Sequence, residues 1–140
     1  MKITKLLTLL AMFAIALPAT IKAEEDTPLG KEMEKIGKTI KAIGRAAKEG
    51  KVTKDMAAKV DEATAAATAA LKFEPAKTKE VPAAEKAKFL AGYKESMEAM
   101  IKGLGELKVA VNSEKADAVA KIVEKLNEGK KDGHKKYKAD

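Results

Sequence analysis

The chain has 140 residues, a formal charge of +7, and neither cysteine nor tryptophan. Without cysteine, disulfides, thiol catalysis, cysteinyl zinc sites and iron–sulfur clusters are excluded. The 28 basic and 21 acidic residues are interspersed, so no block of like charge forms a nucleic-acid-binding arm.

The chain opens as an export signal. "MKITK" is a short basic start, "LLTLLAMFAIAL" (Leu6 to Leu17) an apolar core, and "PATIKA" ends in a small residue. Twelve apolar residues fall short of the roughly 20 that span a bilayer. Cleavage is expected after Ala23, giving a signal peptide over 1–23 and one domain over 24–140, with no stable membrane insertion afterwards. Losing Lys2, Lys5 and Lys22 leaves 25 basic residues against 21 acidic, a mild charge of +4. The expected location is the periplasm, or the exterior if the source is not Gram-negative.

Breakers at "KEGKVT", "FEPAKTKEVP" and "VNSEK" divide the rest into four helical segments. The first, about Pro28 to Lys48, carries Leu29, Met33, Ile36, Ile40, Ile43 and Ala47 at alternating spacings of four and three, a one-sided apolar stripe. The second, about Thr53 to Leu71, has a thin stripe of Met56, Val60, Ala63, Ala67 and Ala70, with Thr53 as its expected N-cap. The third begins near Pro82 and carries Phe89, Leu90, Tyr93, Met97, Met100, Leu104, Leu107 and Val111. The fourth follows Ser113 as N-cap and runs to about Lys138, with Ala116, Val119, Val123 and Leu126 on its stripe. Short links make consecutive helices antiparallel, so the fold class is all-α, an up-down-up-down four-helix bundle. The Phe73–Val81 link is the longest, and the most mobile one expected.

The fourth stripe fails beyond Leu126, where its next positions are Lys130, Gly133 and Tyr137. Either core packing ends there or something other than a side chain fills the space. Bundle topology favours the second reading. The start of helix one, the helix two–three link and the end of helix four share one end of the bundle. Met33, Phe89, Gly92, Tyr93, Gly133 and His134, the chain's single histidine, would then surround one volume. A thioether and an imidazole are axial ligands for haem iron. Aromatic rings cover porphyrin faces, and glycines let a flat macrocycle near the backbone. Lys130 and Lys138 lie four residues either side of His134, where either can pair with a haem carboxylate. Gly30, Gly37 and Gly44 recur every seven residues beside the first stripe, to allow close helix approach or merely at a cost in stability.

Carried by "LGKEMEKIGKTI", "FLAGYKESM", "VNSEKADAVAKIVEKL" and "DGHKKYK", the sequence resembles the cytochrome b562 family over essentially all of the exported chain. The resemblance implies one non-covalent haem b per bundle, with a methionine early in the first helix and a histidine late in the fourth as ligands. Those positions match Met33 and His134. The family's aromatic wall matches Phe89 and Tyr93, and its tyrosine after the histidine matches Tyr137. Lys130 and Lys138 stand where the family's best-known sequence has arginines, without the bidentate fork. Gly133 stands where that sequence has a bulky residue. No C-x-x-C-H motif is present, so covalent attachment cannot occur.

The expected function is single-electron transfer by a monomeric, non-enzymatic periplasmic protein that docks with redox partner proteins and not with nucleic acid. The alternative is a haem-free exported bundle that works by binding, as an envelope or stress protein.

Overall fold

The computed structural model describes residues 26–139, which form four α-helices and no strand. The signal expected over 1–23 lies outside the described residues. Helix α1 is Pro28–Lys48. The Thr27 hydroxyl accepts from the Gly30 amide at 2.9 Å, and Pro28 fills a first-turn position that needs no donor. Its C-terminus closes through two reversed hydrogen bonds, Gly50 N–H to Ala47 and Lys51 N–H to Ala46. That closure requires the left-handed conformation of Gly50 at φ +65°.

Helix α2 is Met56–Ala70, α3 is Lys86–Asn112 and α4 is Ala116–Tyr137. Three of the expected helix starts shift. Thr53 is not the N-cap of α2. Its carbonyl accepts from the Met56 amide in a tight turn, and Asp55 precedes the helix without a side-chain cap. Pro82 opens a turn whose carbonyl accepts from Glu85 and Lys86, and α3 starts only at Lys86. Ser113 belongs to the end of α3, where its hydroxyl donates to the Val109 carbonyl at 3.0 Å. Glu114, at φ +52°, reverses the chain, and Lys115 precedes α4. The long link is not a free loop either. It holds a short 3-10 helix, Ala76–Glu80, packed on α3 and α4, with Pro75 and Thr78 buried.

Each helix packs on its sequence neighbours, and α4 packs on α1 to close the ring. Apolar burial drives this, because an isolated helix of these lengths is marginal in water. The core runs along Ile36, Ile40, Ile43, Val60, Leu104, Leu107, Val111 and Val119, all shielded from solvent. Helix α2 contributes mostly methyl groups (Ala63, Ala66, Ala67 and Ala70), so the longer side chains of α3 fill the space beside it. The core does not reach the other end. Leu29 and Met33 lie on the same stripe as Ile36 but are only half-buried, because the partner side chains on α4 run out opposite them.

Candidate functional site

Where the core stops, a cavity of about 400 Å³ opens between α1 and α4. Three buried side chains of α3, Tyr93, Met97 and Met100, form its floor, and Pro75 closes one side. Met33 of α1 and His134 of α4 both line it, Met33 half-buried and His134 at the solvent-exposed edge. Lys130, Tyr137 and Lys138 line the α4 wall.

Tyr137 is the hinge of the aromatic cluster. Its ring meets Tyr93 edge-on at 5.5 Å and Phe89 edge-on at 5.2 Å. Phe89 therefore supports the cavity wall from behind Tyr137 and does not itself line it, a difference from the expected wall position. Gly92 also acts differently from the expectation. A Cβ there would stand 3.0 Å from the Tyr137 hydroxyl, so its bare backbone accommodates Tyr137 and not a ligand. Ser96 donates a long hydrogen bond, 3.4 Å, to the same hydroxyl. Tyr93 donates to the Ala70 carbonyl at 2.9 Å and so fastens α3 to the end of α2. Burial pushes the Tyr93 phenol up to about 12, and the hydroxyl stays protonated as a donor.

The cavity mouth is charged. Lys130 reaches from α4 to α1, where its Nζ lies 3.0 Å from the position a Gly37 Cβ would take. Lys138 caps α4 at the same opening. Glu34, Lys38 and Lys41 of α1 complete the rim. Glu34 pairs with Lys38 at 2.7 Å, and that ammonium, as hydrogen-bond donor and as charge, holds the carboxyl below its ordinary range. Glu34, Lys38 and Lys41 all lie on a solvent-exposed face of α1. Only the position of α4 shows that this face borders a cavity.

The two helix walls are thinned by glycine. Gly30 and Gly37 flank Met33, and Gly129 and Gly133 precede His134; all four line the cavity. Gly44 is different, since a Cβ there would meet Val123 Cγ1 at 2.9 Å; it is the residue that lets α1 and α4 approach. Among the described residues no three His, Asp or Glu side chains gather as a metal-binding cluster. The cavity lining offers the thioethers of Met33, Met97 and Met100 and one imidazole, that of His134, and thioether with imidazole is a donor set suited to iron already held in a macrocycle.

The fold and cavity define a four-helix bundle protein with a ligand chamber at one end. The family model described as Cytochrome b562 matches residues 28–138, and the chain belongs to that family, whose members are haem-binding electron carriers. Neither the curated proteins nor the solved structures include a match. Among the described residues no helix is long and apolar enough to cross a membrane.

Proposed function

We propose that the protein is a periplasmic one-electron carrier that holds one non-covalent haem b in this cavity, with Met33 and His134 as axial ligands. The observation that carries the reading is that these two side chains, from opposite ends of the polypeptide, line the same chamber. The chamber fits in three further respects. Its volume lies in the range of about 300–1,000 Å³ typical of small-molecule sites. Its floor is apolar, and its mouth carries lysines.

Bound haem supplies a one-electron iron couple, and the surrounding residues set its conditions. As a ligand, the Met33 thioether would raise the potential relative to ligation by nitrogen alone. Met33 and His134 would together hold the iron with protein side chains, which would suit electron transfer and not catalysis. Tyr93, Met97 and Met100 exclude water from the floor and keep the dielectric low. Lys130, beside Gly37, and Lys138, at the helix end, offer charge-assisted hydrogen bonds to carboxylates at the mouth. The protein works as a monomer and docks transiently with redox partner proteins, and the signal over 1–23 delivers it to the periplasm.

Hemin titration of the exported chain, followed by absorbance, tests the reading. The expected result is saturation at one equivalent with a low-spin spectrum that sharpens on reduction. A spectrum that never saturates would leave the haem-free binding bundle as the function.

A further inference from the structure

The glycines of the helices fall into two groups, distinguished by what a side chain would meet. At Gly44 and Gly103 a Cβ would lie 2.9 Å from Val123 and 2.7 Å from Leu126, so helix packing demands glycine there. At Gly129 and Gly133 no atom lies within 4 Å of the Cβ position. At Gly37 the nearest atom is the flexible end of Lys130, which can move aside. None of the last three has a positive φ, and all three lie inside helices that alanine would stabilise. The folded chain gives no packing reason for any of them, yet all three line the one cavity that also holds Met33 and His134.

Resting on the haem reading above, we infer that Gly37, Gly129 and Gly133 are specificity-determining residues: they keep patches of helix backbone bare on both cavity walls and so set the width of the planar ligand the chamber admits. Gly129 and Gly133 are one turn apart on the same face of α4. They also border a second depression, of about 320 Å³, between α3 and α4. The α4 wall is therefore thin between the two depressions. A flat macrocycle can lie close to bare backbone, whereas methyl groups at these positions project into its space. The chain thus gives up intrinsic helix stability at residues that helix packing does not require to be glycine.

Gly105 supplies the control. Nothing lies within 4 Å of its Cβ position either, but it borders no cavity. The test compares the exported chain with Gly129→Ala/Gly133→Ala, Gly133→Leu and Gly105→Ala, in thermal melts without hemin and in hemin titrations. Without hemin, the double alanine variant and Gly105→Ala should both melt higher than the parent, the double variant by roughly 4 °C or more. Hemin affinity should fall at least about tenfold in the double variant, a loss of about 1.4 kcal/mol, fall further in Gly133→Leu, and stay unchanged in Gly105→Ala. Equal hemin affinity in all four proteins would overturn the inference while leaving the haem reading intact. A lowered melting temperature in the double alanine variant would also overturn it, since packing would then need the glycines. Failure of the parent chain itself to take up hemin is a separate outcome, and it removes both proposals.

Discussion

Tyr93→Phe separates two roles of one hydroxyl and reverses sign with pH. The ring is 7% exposed, and its hydroxyl donates to the Ala70 carbonyl at 2.9 Å. Removing the hydroxyl at neutral pH should cost about 1 kcal/mol, a typical net value for one hydrogen bond. A larger loss is not expected, because the Ala70 carbonyl also accepts from the Phe73 amide at 3.2 Å and is not orphaned. The alkaline limb behaves differently. Burial raises the folded-state phenol to about 12, against about 10 in the unfolded chain. A folded pKa above the unfolded one means that this stability is complete below pH 10 and is lost as pH climbs towards 12. The difference of about two units is worth at most about 3 kcal/mol. Urea unfolding of both proteins at pH 8, 10 and 11.5 measures the gap, and comparing the two cancels the titrating lysines and Tyr137. Phenylalanine should be the less stable variant at pH 8, draw level between pH 10 and 11.5, and be the more stable at the top of the range. A gap that stays constant across the three pH values would refute the claim that the Tyr93 hydroxyl is held protonated by burial.

The remaining expectations concern the core and the link. Leu104 is completely shielded, so Leu104→Ala should lose about 2–5 kcal/mol in urea unfolding, and a loss under about 1 kcal/mol would mean the centre of the bundle is not close-packed. The Thr78 hydroxyl is buried with no hydrogen-bond partner among the described residues. Thr78→Val should therefore be neutral or raise stability by about 1 kcal/mol, and a marked loss would reveal a partner for that oxygen.

How much of this was legible in the sequence depended on whether the signal lay within one helix. Helix α1 runs over the residues its stripe indicated, Pro28 to Lys48, because an alternating four–three spacing reports one buried face directly. The starts of α2, α3 and α4 were misplaced because Thr53, Pro82 and Ser113 have the right chemistry for a helix start but are used otherwise. Thr53 lends its backbone carbonyl to a tight turn, and the Ser113 hydroxyl folds back onto the preceding helix. Side-chain type alone does not distinguish a cap from a turn. The end-of-bundle chamber could be read from the failure of the fourth stripe at Lys130 and Gly133, together with the rule that short links make antiparallel neighbours. Its rim could not. Glu34, Lys38 and Lys41 look like any solvated helix face, and Pro75 looks like any loop proline, until α4 and α3 are in position beside them. Nor did the seven-residue recurrence of Gly30, Gly37 and Gly44 reveal that the first two face a cavity while the third faces Val123.

Axial ligation can be read directly from the spin state of the haem complex. Absorbance spectra of the hemin-loaded parent, Met33→Ala and His134→Ala should show a low-spin parent and a change to high spin, or loss of uptake, in each variant. Low-spin spectra unchanged in both variants would contradict the assignment of the thioether and the imidazole, whatever else the chamber holds.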